Sequence, residues 1–308
     1  MIDSVLPSWR AGLTRTAIVD FLDRVDVIPP TERVAVFDND GTLWCEKPQY
    51  PQLVFMVGEL RRAVEAEPSL GDREEYRAIL SGDREALAGL GLERVVFSLV
   101  DLHRGWTPEE FSARVAEFFA DYRHPDRGVP VRGLRYQPML ELIDELRGRG
   151  FDVYLVTAGG AEFVRVVSQD FYGVKPEGVV GSQIDYELAR EESGALRLRR
   201  TSSVIGGTNE GPVKPGSLQR LLGRRPVVAA GNSAGDSEML EYAQTYDGPS
   251  LALLVDHDDP VREYAYESRA ETFETSETIL ETAARLGWVV ASIKNDWATV
   301  FAEPAPTT

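Results

Sequence analysis

Three stretches of this chain end an apolar run in polar residues that can do chemistry. The first is Phe37-Asp38-Asn39-Asp40-Gly41-Thr42-Leu43, entered from Val34-Ala35-Val36. Two carboxylates two positions apart on a tight turn can divide a two-step displacement, one attacking while its neighbour shuttles a proton. The same residues also suit a solvated turn after a strand, because Asp and Gly favour turns. The second stretch is Thr157-Ala158-Gly159-Gly160, and the third is Gly231-Asn232-Ser233-Ala234-Gly235-Asp236. Ligands of open parallel sheets bind at the carboxyl ends of strands. Asp38, Asp40, Thr157, Asn232 and Asp236 are therefore expected to share one site, and Lys214, just ahead of a helical stretch, can join them.

The elements that must position these residues follow from periodicity. Ala17, Ile18, Phe21, Leu22 and Val25 form a helical stripe, closed by Pro29 and Pro30. Arg33 to Phe37 reads as a buried strand. From Pro48 to Leu102 the pattern is helical, with pieces near 52–66, 73–80 and 83–90. Thr107-Pro108-Glu109-Glu110 is a helix start with a capping box, and 124–133 reads as a linker. Beyond it, helices at 138–149, 162–171, 215–222, 237–243 and 276–286 alternate with strands at 151–156, 226–230 and 251–255. Residues 182–203 read as a hairpin. Alternating strands and helices predict an α/β fold with a parallel sheet. The expected organisation is an α/β core of 1–45 and 135–308, interrupted by a helical insertion at 46–134. The Pro/Thr-rich tail at 303–308 stands apart.

In order, these motifs resemble the haloacid dehalogenase superfamily, whose members are mostly Mg²⁺-dependent phosphatases. The matching features are DxDGT at 38–42, Thr157 after an apolar strand, Lys214, and the acidic motif at 231–236. The wording FDNDGTLWCEKPQY, RYQPMLELIDELRGRGFDVYLVTAGGAEF, GNSAGDSEML and VDHDDPVREYAY is similar to one bacterial branch, described as phosphoserine-phosphatase-like or acid-phosphatase-like. The resemblance implies a Rossmann-like core with a C1-type cap at 46–134. It implies that Asp38 is the nucleophile forming an aspartyl-phosphate, and that Asp40 protonates the leaving alcohol and then activates water. By the same resemblance Thr157 and the amides of Ala158 and Gly159 hold phosphoryl oxygens, and Lys214 neutralises charge. Mg²⁺ is implied at Asp38, the Asp40 carbonyl, Asn232 and Asp236. Many members carry Asp where this chain has Asn232. Asn offers a neutral oxygen to a cation that prefers carboxylates.

The expected activity is hydrolysis of a small phosphate monoester, the partner being a small phosphorylated metabolite. The alternatives are a phosphomutase or phosphotransferase, and a non-catalytic protein of the same fold that binds a phosphorylated ligand. Asp40 argues against dehalogenation, which needs no proton shuttle. Lys47 is the one lysine in 46–134, which disfavours a Schiff-base phosphonate hydrolase. Glu46 and Tyr50, with Trp44 and Gln52, are the residues of the insertion's start expected to meet substrate, and Glu46 can read an amino group. Packing is the competing role for Trp44 and Tyr50, and a solvated hinge charge for Glu46.

Composition sets the outer bounds. The 308 residues carry 33 Lys plus Arg against 50 Asp plus Glu, a net charge of −17. Such a surface repels phosphate backbones and anionic lipid, so neither nucleic acid nor membrane is an expected partner. The single cysteine, Cys45, cannot form an internal disulfide and reads as packing. No run approaches the ~18 apolar residues of a membrane span, and the expected location is the cytoplasm. His257, beside Asp258 and Asp259, reads as a surface or salt-bridging residue.

Overall fold

The computed structural model describes residues 5–302; the tail at 303–308 lies outside them. In chain order the elements are α1 (Leu13–Leu22), β1 (Val34–Phe37), α2 (Pro51–Ala66), α3 (Glu74–Ser81), α4 (Arg84–Leu90), α5 (Leu92–Asp101), α6 (Pro108–Asp121) and α7 (Gln137–Gly148). They continue with β2 (Asp152–Gly160), α8 (Ala161–Tyr172), β3 (Val179–Arg190), β4 (Leu196–Ile205), α9 (Val213–Leu222), β5 (Val228–Gly231) and α10 (Ser237–Gln244). The last are β6 (Leu251–Asp256), α11 (Ile279–Leu286), β7 (Val289–Ser292) and α12 (Ile293–Asp296). The short β7 and α12 add to the elements expected from periodicity. Among the described residues no helix is long and apolar enough to cross a membrane.

The chain divides into two compact units. Of the described residues, one takes those up to Lys47, Tyr122–Gly181 and those from Thr208 on; the other takes Pro48–Asp121 and Ser182–Gly207. The strands run in the order β4-β3-β2-β1-β5-β6-β7. In the first unit β1 pairs parallel with both β2 and β5, in the register Phe37↔Leu155 and Phe37↔Ala230. β5–β6 and β6–β7 are also parallel. Every residue of β1 and β5 is buried, as expected of parallel strands covered on both faces. Val34, Val36, Ala229, Leu254, Met239 and Leu240 belong to one apolar cluster. Full burial of a side chain such as Val or Leu stabilises by roughly 1.5–3 kcal/mol.

From β1 the order runs one way through β2 and the other way through β5. The ends of β1 and β5 therefore flank a topological switch point, where open α/β sheets bind ligands.

The second unit starts at Pro48, within two residues of the expected insertion, and departs from it beyond Asp121. Residues 122–134 fall with the first unit, and the hairpin joins the helices. His124 Nε2 donates to the Lys47 carbonyl at 2.6 Å, and Tyr264 donates its hydroxyl hydrogen to Asp126 at 2.6 Å; these bonds tie the expected linker to the first unit. Beyond Gly181, β3 pairs antiparallel with β4, with a bulge between Ile184 and Tyr186. The Arg200 guanidinium lies 3.9 Å from the centre of the Phe111 ring. The Gly105 amide donates to the Arg200 carbonyl, and the Arg200 amide to the Trp106 carbonyl, both at 2.8 Å. α6 begins as expected: the Glu110 amide donates to Thr107 Oγ1, and Glu110 Oε2 accepts from the Thr107 amide.

Candidate active site

Asp38 is the first residue past β1, and its amide still donates to the Ala230 carbonyl of β5 at 2.9 Å. That bond carries the strand register into the turn and leaves the side chain at the sheet end. Gly41 then adopts φ +75°, and a Cβ there would sit 2.0 Å from Asn232 Nδ2. Only glycine permits both the left-handed turn and this close approach. The Trp44 indole N–H donates to Asp40 Oδ1 at 2.8 Å, and Asn39 Nδ2 donates to Asp40 Oδ2 at 3.4 Å. The Asp40 carboxyl therefore has a fixed orientation. Removal from water pushes it above its ordinary range, which suits a proton donor.

Lys214, in the first turn of α9, is 1% exposed. Its Nζ donates to Asp38 Oδ1 at 2.8 Å, to Asp236 Oδ1 at 2.5 Å and to the Val156 carbonyl at 3.3 Å. Burial opposes its charge, but the Asp236 and Asp38 carboxylates outweigh that and raise its pKa. Burial and the Asp236 charge push Asp38 upward, with Lys214 acting against them. Three acidic groups and one ammonium thus share a nearly dry volume.

Asp236 is spoken for. Its Oδ2 accepts from the Asn232 and Ser233 amides, both at 3.0 Å, and from the Ser233 hydroxyl at 3.3 Å. Its other oxygen holds Lys214. Asp236 therefore builds the turn after β5, in a capping box with Ser233, and both its oxygens are engaged. Asn232 is differently placed. Thr42 Oγ1 lies 3.3 Å from Asp38 Oδ2 and 3.4 Å from Asn232 Oδ1, so oxygens from the ends of β1 and β5 converge on one hydroxyl. Asn232 Nδ2 points to Ser268 Oγ at 3.4 Å, which orients the amide oxygen toward Thr42. Among the described residues no cluster of three or more His, Cys, Asp or Glu side chains can hold a metal ion. The oxygen donors offered here, a carboxylate, an amide and main-chain carbonyls, are nonetheless the hard kind that suits Mg²⁺.

β2 continues through the expected turn to Gly160, and α8 follows at once. Its small residues let β3 approach closely: a Cβ on Gly181 would lie 2.9 Å from the Gly159 carbonyl oxygen. Thr157 is 1% exposed. Its Oγ1 accepts from the Gly159 amide at 3.0 Å, and its carbonyl accepts from Asn209 Nδ2 at 3.0 Å. Ala158 is half-buried beside it.

Glu46 is buried. Its Oε1 lies 3.5 Å from Lys47 Nζ, and its carboxyl carbon lies 3.0 Å from where a Gly41 Cβ would stand. It is a buried neighbour of the turn after β1 and not a solvated hinge charge, and burial pushes its pKa up. Tyr50 and Gln52, at the start of α2, belong to the second unit. Cys45 Sγ donates to Glu263 Oε1 at 3.0 Å; burial pushes this thiol up, away from the thiolate that a nucleophile needs.

Four residues hold places that their sequence context did not assign. Asn209 anchors Thr157, and Trp44 orients Asp40. Glu210 binds the Glu271 and Thr272 amides and fills the space left open at Gly235. Of the two roles expected for His257 the surface one fails and the salt-bridging one holds: it is buried, Nε2 meets the Gly41 carbonyl at 2.8 Å and Nδ1 meets Glu263 Oε2 at 3.1 Å. The available signals were Asn209-Glu210 just ahead of Lys214, and a histidine placed after a buried strand.

The sequence pattern of haloacid dehalogenase-like hydrolases matches residues 35–241. A protein of unknown function from Bordetella pertussis Tohama I superposes with a TM-score of 0.54 at 18% identity, covering 84% of this chain and 97% of that one. A conserved functionally unknown protein from Anaerococcus prevotii DSM 20548 gives 0.50 at 16% identity, over 80% and 86%. At these identities the likeness is one of fold. A search of curated proteins found no match.

Proposed function

Because the chain belongs to the haloacid dehalogenase-like hydrolase family, we propose that it hydrolyses a small phosphate monoester through an aspartyl-phosphate on Asp38. The observation that carries this reading is the nucleophile's setting. Asp38 stands at the end of β1 with one oxygen held by Lys214 at 2.8 Å and a second carboxylate, Asp40, two residues on.

Asp38 Oδ2, the oxygen not bound to Lys214, attacks phosphorus. Asp40 gives its proton to the departing alkoxide, so the alcohol leaves neutral. Water then attacks the phosphoryl-Asp38, with Asp40 taking its proton; phosphate leaves and both carboxyls are restored. Lys214 offsets the charge on Asp38 before attack and after phosphate leaves, and the charge on the phosphoryl group in between. The Thr157 hydroxyl and the Ala158 and Gly159 amides hold phosphoryl oxygens, the Gly159 amide turning from Thr157 Oγ1 to do so. Asp38, the Asp40 main-chain carbonyl and Asn232 would hold Mg²⁺, with Asp236 fixing the turn that presents Asn232. Bound there, the ion supplies charge neutralisation between the carboxylate and the phosphate. Glu46 is the candidate to read a cationic group on the substrate.

A second reading, binding without turnover, is favoured by Asn232 alone. Phosphate release from a panel of small phosphate monoesters, with Mg²⁺ or with EDTA, tests both. Metal-dependent release that disappears in Asp38→Asn supports hydrolysis, and the ranking of substrates identifies the leaving group. No release from any compound by the folded, Mg²⁺-supplied protein contradicts hydrolysis, and tight binding of a phosphorylated compound would then select the second reading.

A further inference from the structure

The loop after β6 reaches back to the turn after β1. His257 is 2% exposed and so is Glu263. Both ring nitrogens of His257 face acceptors: Nε2 the Gly41 carbonyl at 2.8 Å, Nδ1 Glu263 Oε2 at 3.1 Å. Glu263 is itself anchored from several sides. Its Oε1 accepts from the Cys45 thiol and the Tyr136 hydroxyl, each at 3.0 Å, and its Oε2 from the Tyr264 amide at 2.6 Å. The ring is stacked on Tyr266 at 4.4 Å between centroids, which covers one of its faces. Gly41 is therefore gripped at both its backbone groups, its amide donating to the Trp44 carbonyl at 2.9 Å and its carbonyl held by His257. Trp44, on the far side of this turn, is the residue that orients Asp40. One buried pair thus holds the turn at Gly41 and, through Cys45, at its exit.

We propose that His257 and Glu263 are positioning residues for the proton-transfer step, holding the 39–45 turn so that Asp40 meets the leaving-group oxygen. This rests on the hydrolase reading above. A misplaced general acid is costly only where the leaving group needs a proton. A p-nitrophenolate leaves without one, whereas an alkoxide does not.

The test is kinetics of His257→Gln on an alkyl phosphate, glycerol phosphate or phosphoserine, and on p-nitrophenyl phosphate. The expected result is a loss of kcat/KM, which covers only the steps through departure of the leaving group, of about a hundredfold on the alkyl ester, against a loss of less than about threefold on the aryl ester. Equal losses on both, or none on either, overturn the proposal. If His257→Gln does not fold, Glu263→Gln serves, since it frees the anchor while leaving the imidazole in place; the same selectivity is expected.

A second readout needs no turnover. In His257→Leu, backbone amides of 39–45 should exchange with solvent about tenfold faster, the loss of one hydrogen bond, while those of β5 are unchanged. Unchanged exchange at 39–45 overturns the proposal whether or not phosphate is released. Faster exchange in a protein that releases no phosphate upholds the brace and sinks the hydrolase reading separately.

Discussion

Lys214 sits between two carboxylates, and everything the site can do at the scale of single residues turns on that. Replacing it with Met leaves Asp38 and Asp236 facing each other without a cation in a dry volume. Breaking a buried pair in this way costs about 3–5 kcal/mol, and urea denaturation of Lys214→Met should show a loss of that size. Asn232 permits a prediction of opposite sign. A carboxylate binds a hard cation better than an amide does, so Asn232→Asp should bind Mg²⁺ about tenfold tighter by calorimetry. Unchanged affinity would remove Asn232 from the donor set. The acid pair at 38 and 40 was legible in the sequence because strand, turn and spacing all lie within seven residues. The division of labour between Asn232 and Asp236 was not. It depends on which oxygens the main chain of 232–233 and Lys214 have already claimed, and hydrogen bonding of that kind leaves no spacing signal.

The elements were legible to different depths, and for physical reasons. β1, β5 and β6 read clearly because strands buried on both faces are uninterrupted apolar runs. α6 read clearly because its start carries a capping box; Thr107→Ala should lower stability by about 1 kcal/mol in thermal or chemical unfolding. β2 overran its expected end, since the small residues 158–160 look like a turn yet stay extended where Gly181 lies against them. The hairpin's alliance with the helices was hidden because it is long-range: Arg199 donates to the Gly105 carbonyl across 94 residues. The turn after β1 is where element and chemistry meet. At Gly41 a side chain faces both a left-handed φ and the Asn232 amide, so Gly41→Ala should lose nearly all activity, read as phosphate release, while its circular dichroism stays that of the wild type. Wild-type turnover by Gly41→Ala would contradict the geometry described for this turn.

For the whole molecule, the acid limb of stability is the informative one. Burial works against the charge on Glu263, but hydrogen bonds and charge from His257, with the Cys45 thiol and the Tyr264 amide, outweigh it and hold its carboxyl low. A depressed folded value means that the stabilisation is complete above the unfolded pKa and is lost as pH falls through the folded one. The stability gap between the wild type and Glu263→Gln should be widest near neutrality and should close below about pH 4, the ordinary carboxylate range. A gap that widens on acidification would contradict this sign. The net charge of −17 works in the opposite direction, since self-repulsion at neutral pH eases as carboxylates take up protons, so the comparison with Glu263→Gln, which differs by one charge, is what isolates the buried pair. The proposed hydrolysis requires a covalent step at one carboxylate of this acidic chain. The most direct measurement is acid quench of the protein during turnover of p-nitrophenyl phosphate with Mg²⁺, followed by mass analysis of the peptide spanning β1 and its turn. The expected result is the added mass of one phosphoryl group on Asp38, absent in Asp38→Asn. Turnover with that peptide unmodified, or with the phosphoryl group on another residue, would contradict it.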